Sequence, residues 1–277
     1  MALTAQEMNF VNSVDNKIKK FGIPVTLKQA ISNASNAFVY TIYNDNTTEL
    51  VDAGVEVFLI KKSFSYFLNR YCVVDIPGLG TVPMKPYYFQ SEMAKEVLKY
   101  RKVVVDKTRQ CGLSTLFSFY CLWRIHFFPA ENIDVISTKM AKAQDFIRKM
   151  FSTLNHLPDW MKLPMASNNK QKISFKHPNG SISAITSEPQ SDNAGRADSL
   201  SLLVLDELAF YDSDRMVRNI IASATPTLTK TGGQMIEISC VIGDTYINTK
   251  DGLVQVKDYI PKNCKLGYNE IPLLKID

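Results

Sequence analysis

The residues best placed to do chemistry lie between Val103 and Thr115. A β-branched run, Val103-Val104-Val105, enters a short loop, Lys107-Thr108-Arg109-Gln110-Cys111-Gly112-Leu113-Ser114-Thr115, and an apolar helix follows. Strand, glycine- and hydroxyl-bearing loop, then helix is the order in which backbone N–H groups and a helix dipole hold phosphates. The usual phosphate-loop pattern sets a lysine directly after the glycine, and here that position is Leu113. Two explanations compete. The loop is a coincidence or a dead nucleotide site, or the phosphate-reaching lysine has moved to the front, giving Lys107-x-x-x-x-Gly112-x-Ser114. In the second case Lys107 and Arg109 supply positive charge and Ser114, followed by Thr115, supplies a hydroxyl for Mg²⁺.

Downstream residues favour the second explanation. Leu202-Leu203-Val204-Leu205 is continuously apolar, as a strand buried on both faces of a parallel sheet must be, and it runs into Asp206-Glu207. An aspartate at such a strand end can hold Mg²⁺, and a following glutamate can orient or deprotonate an attacking water. Upstream, Gln90 follows Tyr87-Tyr88-Phe89, where an amide can bond an adenine edge while an aromatic ring packs on the base. Arg196, in Ala194-Gly195-Arg196-Ala197-Asp198, is either a solvated loop charge or an arginine able to reach a nucleotide in the same or a neighbouring subunit.

The elements that must carry these residues follow from periodicity. Residues 1 to about 36 read as a helical pair broken at Gly22-Ile23-Pro24. Phe38, Tyr40, Ile42 and then Val55, Val57, Leu59 alternate at period two around Asn44-Asp45-Asn46, which predicts a hairpin over 37–60. A helix is expected from near Ser91, a strand over 132–136, an amphipathic helix over 139–151, and a hairpin over 173–185 turning at Asn179-Gly180. The apolar stretch 116–129 contains Arg124 and His126 and is too short to span a bilayer, so it reads as a buried helix.

Composition bounds the class. The chain has 277 residues, 45% hydrophobic, which suffices for one large core or two smaller ones. A net charge of +5 permits a nucleic-acid partner without demanding one. Five cysteines without a CxxC pair argue against a disulfide framework or a zinc site and for a reducing compartment. His126, His156 and His177 stand at no metal-ligand spacing. The N-terminus has no basic stretch followed by an apolar core, so no signal peptide is expected.

Tyr88-Phe89-Gln90, the loop Lys107 to Thr115, Ala194-Gly195-Arg196 and Leu202 to Glu207 together resemble the ATPase domain of the large terminase subunits of tailed bacteriophages. A phosphate loop with its lysine at the front is a habit of that family. The resemblance covers about residues 65–239 and implies a RecA-like α/β P-loop ATPase with a mainly parallel sheet, ATP and Mg²⁺ as cofactors, and double-stranded DNA as cargo. It also implies a ring homo-oligomer, a portal and a small terminase subunit as partners, and the host cytoplasm as location. By that resemblance Gln90 serves adenine, Lys107, Arg109, Gly112, Ser114 and Thr115 the phosphates and Mg²⁺, Asp206 the metal, Glu207 the attacking water, and Arg196 a neighbouring nucleotide.

In that family the strand after the Asp-Glu pair ends in a coupling motif, Ser/Thr-Thr-Pro-x-Gly. Met235-Ile236-Glu237-Ile238-Ser239 supplies the strand, and Cys240 stands where the motif should continue. The tail, Cys240 with Gly243-Asp244-Thr245 and Gly252, resembles the first block of an intein, a β-rich fold in which a leading cysteine attacks the preceding carbonyl. Thr245–Asn248 and Leu253–Val256 alternate about Asp251-Gly252 as a hairpin would. The His-bearing block and the terminal His-Asn of inteins do not occur here, since no histidine follows His177. The resemblance therefore implies either a split intein completed by a second chain or a truncated sequence. Three regions are expected: 1–64 an accessory subdomain, 65–239 the ATPase, and 240–277 an N-terminal intein fragment. The alternative is a stand-alone P-loop ATPase or helicase-like protein whose tail is a structural hairpin.

Overall fold

The computed structural model describes residues 5–107, 111–195 and 199–239, together with strand residues 246–249, 252–255 and 273–274. The chain divides into two compact units, Met1–Tyr87 with Phe151–Lys162, and Tyr88–Met150 with Leu163–Asp277.

The first unit begins with α1 (Ala5–Phe21) and α2 (Leu27–Ile31), separated at the expected Gly-Ile-Pro break. Thr26 and Gln29 form a reciprocal capping box that starts α2. β1 (Phe38–Ile42) and β2 (Thr48–Asp52) pair antiparallel, and α3 (Ala53–Lys62), α4 (Phe64–Tyr71), β3 (Val73–Ile76) and β4 (Gly80–Pro83) follow. The expected hairpin over 37–60 is thus only half right. Its second strand is 48–52, and Val55, Val57 and Leu59 lie on a helix. Two local interactions decide this. The Asp52 carboxylate accepts the Val55 N–H as an N-cap, and Val55, Glu56, Leu59 and Ile60 are buried at helical, not alternating, spacing.

That unit is organised around a buried carboxylate. Glu56, 1% exposed, accepts from the hydroxyls of Tyr66 (2.7 Å) and Tyr71 (2.6 Å) and from Lys17 Nζ (3.2 Å). Burial by itself lowers the pKa of Lys17, but Glu56, Tyr43 and Glu49 outweigh it and hold the ammonium above its ordinary range. Burial beside the same carboxylates pushes the Tyr43 phenol up to about 12.

The second unit contains α5 (Tyr88–Glu96), β5 (Lys102–Asp106), α6 (Leu113–Phe127), β6 (Asn132–Ser137), α7 (Met140–His156) as far as Met150, β7 (Met165–Asn168), β8 (Lys172–Lys176) and β9 (Ile182–Pro189). β10 (Leu202–Asp206), α8 (Asp214–Thr231) and β11 (Gln234–Ser239) complete its body, and β12 (Tyr246–Thr249), β13 (Gly252–Gln255) and β14 (Leu273–Leu274) follow. Its eight-stranded sheet runs β14-β5-β11-β10-β6-β9-β8-β7. The five strands β5, β11, β10, β6 and β9 are mutually parallel; β14 at one end and β8 at the other run against them, and β7 pairs antiparallel with β8. Every residue of β10 and β11 is buried, which explains the uninterrupted apolar run before Asp206.

α6 buries twelve residues, from Leu113 to Phe127, so the stretch expected as a buried helix is one. Arg124 within it is neutralised by Glu131 at 2.8 Å. No helix among the described residues is long and apolar enough to cross a membrane. On the opposite side of the sheet, Leu203, Leu205, Ile136 and Met235 pack with Ile220, Ala224 and Leu228 of α8.

Candidate nucleotide site

Parallel strands present their C-terminal ends along one edge, and the chemistry-bearing residues collect there. β5 ends at Asp106, β11 at Ser239 and β10 at Asp206, in adjacent registers: Ser239 pairs with Asp106, and Ile238 with Asp206. An edge of this kind is where open α/β sheets bind ligands, because the loops leaving it are free of ladder hydrogen bonds.

α6 begins immediately after Gly112, whose φ of +72° lies in the left-handed region. A Cβ at this position would stand 2.7 Å from Gln90 Nε2, so the loop requires glycine for its backbone conformation and for the close approach of Gln90. Gln90 is 2% exposed and donates from Nε2 to the Cys111 carbonyl at 3.0 Å. Its amide therefore braces the backbone just before α6, a contact that sequence spacing did not reveal.

Ser114, in the first turn of α6, donates from Oγ to Asp206 Oδ1 at 3.0 Å across 92 positions of chain. The pairing joins the two motifs that the sequence offers separately. Asp206 is 6% exposed, and burial raises its carboxyl above the ordinary range, while the Ser114 hydroxyl, Lys107 and Lys149 pull it back and Glu207 adds to the rise. A buried carboxylate beside a hydroxyl, with its charge incompletely compensated, fits Mg²⁺, which takes one or two protein ligands and fills its octahedron with phosphate oxygens and water. The first-turn N–H groups of α6, which receive no side-chain cap from Gly112, fit phosphates.

Glu207 occupies the left-handed region at φ +59°, which a non-glycine residue adopts at a cost on the order of 1 kcal/mol or more. Leaving β10, this turn aims the Glu207 side chain differently from the strand alternation. Its carboxylate accepts from Thr138 Oγ1 at 3.4 Å and lies 3.7 Å from Lys142 Nζ at the start of α7. Neither partner was legible beforehand, because β6 and β10 become neighbours only through the sheet order.

Ser239 ties the two loops together. Its carbonyl accepts the Lys107 N–H at 2.9 Å, and its hydroxyl accepts the Ala209 N–H at 2.7 Å. The strand end that the sequence marks as a junction is thus fixed to both the phosphate loop and the segment after Asp206-Glu207. Thr115 follows Ser114 on the first turn of α6 and is half-buried. Arg109, Arg196 and Cys240 lie outside the described residues.

No protein-family model matches the chain. Among solved structures, the HK97 bacteriophage large terminase is similar over 65% of this chain and 37% of that one, with a TM-score of 0.52 and 15% identity. The large terminase ATPase domain of Thermus phage P74-26 matches over 57% of this chain and 66% of that one, with a TM-score of 0.46 and 17% identity. The UvsW helicase from bacteriophage T4 matches over 57% of this chain and 53% of that one, with a TM-score of 0.39 and 11% identity. The chain spans little more than a third of the HK97 protein, and over that part the two share a fold: a mixed α/β body on a mostly parallel sheet.

Proposed function

We propose that residues 65–239 form an ATP-hydrolysing motor domain of a phage DNA-packaging terminase. The single observation that carries this reading is the Ser114 Oγ to Asp206 Oδ1 contact, which brings the phosphate loop and the acidic strand end to one point. Bound ATP–Mg²⁺ would supply the phosphoryl group and the cation that neutralises its oxygens. Gly112 lets the backbone turn into α6, Ser114 and Asp206 would hold the metal, Lys107 with Arg109 adds positive charge, and Gln90 serves the adenine while bracing the loop through the Cys111 carbonyl. Glu207 takes the proton of the attacking water, and Thr138 and Lys142 hold its carboxylate until the nucleotide arrives. Arg196 reaches a neighbouring subunit's nucleotide in a ring. Double-stranded DNA is the cargo, with portal and small terminase subunits as partners in the host cytoplasm.

The test is Glu207→Gln. Binding of a fluorescent ATP analogue with Mg²⁺ is expected to stay within about threefold, while single-turnover hydrolysis falls by a factor on the order of 10² to 10⁴, the usual contribution of a general base. Equal loss of binding would make Glu207 a structural residue.

Residues 240–277 belong, in this proposal, to the N-terminal piece of a split intein. The support is the Cys240 block at the end of β11 and the antiparallel pairing of β12 with β13. The Cys240 sulfur attacks the Ser239 carbonyl carbon. A C–S bond forms, the Ser239–Cys240 C–N bond breaks, and the freed amine takes the thiol proton. A second chain would bring the rest of the intein and of the motor. Mixed with that chain, the wild type yields a product ligated at Ser239, and Cys240→Ala yields none. Continued ligation by Cys240→Ala would refute the assignment.

One observation favours a second reading, in which the tail is a structural part of the ATPase. β14 pairs antiparallel with β5, Leu273 opposite Val105 and Leu274 opposite Val104, and so covers the sheet edge. Under that reading, deleting 240–277 lowers the melting temperature and weakens nucleotide binding. Under the intein reading, both survive the deletion.

A further inference from the structure

A second acidic pair lies in the sheet, away from the metal site. Asp134 on β6 is 6% exposed, and its Oδ1 has no hydrogen-bond partner. β6 and β9 pair in parallel, with Asp134 opposite Thr186 and Ile136 opposite Glu188, so Asp134 and Glu188 share one face as diagonal neighbours. Glu188 is the neighbouring charge that, with burial, disfavours ionisation of Asp134. Two ionised carboxylates cannot hydrogen-bond one another, because neither carries a donor, whereas a protonated Asp134 can donate to Glu188.

Glu188 has a second contact. Its Oε1 accepts the Gly195 N–H at 2.8 Å. Gly195, at φ +75°, closes a turn, and a Cβ there would meet the Ala224 Cβ of α8 at 3.4 Å. Ala194 is fully buried in the cluster formed by Ile136, Leu203, Ile220 and Ala224. The next residue in sequence is Arg196.

We propose that Asp134 and Glu188 share one proton and act as a positioning pair, fastening the Gly195 turn, from which the chain runs into Arg196, to the central sheet. Its value to catalysis rests on the reading of Arg196 given above, whereas the proton sharing does not. Among the described residues, Glu188 lies beside Asp134 on β9, Tyr211 approaches with its hydroxyl on the Ile136 carbonyl, and β10 and α8 contribute apolar Leu203, Ile220 and Ala224. Burial, and then the neighbouring carboxylate, push Asp134 up to about 8. Loss of the shared proton leaves two like charges together on a buried face, and repulsion then loosens the acceptor that holds Gly195.

The sequence offers a direct probe. Ala-Gly occurs twice, at Ala53-Gly54 and Ala194-Gly195. In the full chain labelled with ¹³C-carbonyl alanine and ¹⁵N-glycine, a carbonyl-filtered amide spectrum contains only those two glycines. Between pH 6 and 9 the Gly195 resonance is expected to titrate, with a midpoint well above the ordinary carboxylate range, while Gly54 stays fixed. Gly54 bonds to the Ser35 hydroxyl beside Asp52, whose carboxyl is held low by backbone N–H groups despite partial burial. Asp134→Asn should abolish the Gly195 titration. Glu188→Gln should do the same while keeping an acceptor for the Gly195 N–H, so either variant can decide the matter if the other fails to fold. A flat Gly195 in the wild type, or a titration that persists in both variants, overturns the proposal. Failure of ATP–Mg²⁺ binding would overturn the motor reading and leave this result standing.

Discussion

Replacing Gly112 by alanine separates two roles that the phosphate loop assigns to one position. The first is conformational: alanine at φ +72° costs about 1–2 kcal/mol, because its Cβ crowds the following carbonyl. The second is steric. The new Cβ would stand 2.7 Å from Gln90 Nε2, and Gln90, 2% exposed and bonded to the Cys111 carbonyl, can withdraw only by giving up that bond. A lost hydrogen bond of this kind costs about 1 kcal/mol. Gly112→Ala is therefore expected to destabilise the second unit by about 2–3 kcal/mol and to weaken nucleotide binding, since the loop N–H groups turn with the backbone. Urea unfolding of the wild type, Gly112→Ala, Gln90→Ala and the double variant separates the two contributions. In the Gln90→Ala background only the backbone strain remains, so the Gly112 substitution should cost about 1 kcal/mol less than in the wild type. An equal cost in both backgrounds would refute the clash, and a cost below about 0.5 kcal/mol would refute the left-handed requirement as well.

The other expectations concern buried charge. Glu56→Ala removes the acceptor of three tyrosine hydroxyls, those of Tyr43, Tyr66 and Tyr71, and the partner of a Lys17 side chain that is 11% exposed, and should destabilise the first unit by about 3–5 kcal/mol, more than Glu56→Gln. Chemical denaturation followed by tyrosine fluorescence reads this, and equal losses for the two variants would show that packing, not charge, dominates. For Asp134 the sign is fixed by its raised folded-state pKa. Its stabilising contribution is fully present below the unfolded value near 4, and is lost as pH rises through about 8. The melting temperature of Asp134→Asn should accordingly fall less than that of the wild type over this interval.

The elements that carry the candidate nucleotide site are legible from the chain itself. The β-branched run before Lys107, the single Gly112 and the apolar run before Asp206-Glu207 are local signals, because strand burial and tight turns restrict residue type position by position. The helices after each loop followed for the same reason. Local pattern failed at Val55, Val57 and Leu59, where alternating apolar residues suit a strand but the Asp52 cap and burial on one helical face prevail.

Residue types and their local pattern identify the candidate groups and the strands that carry them. Tertiary structure alone decided which of them meet. Ser114 touches Asp206 because β11 inserts between β5 and β10, and Glu207 meets Thr138 and Lys142 because β6 flanks β10 on its other side. Gln90 meets the Cys111 carbonyl only because α5 packs beside the loop before α6, a contact that spacing along the chain does not show. The Asp134–Glu188 pair had no sequence signature, since two acids 54 positions apart become neighbours only when parallel strands fix their register. Residue type is a local property, whereas contact across a parallel sheet is set by strand order, which no short stretch of chain encodes.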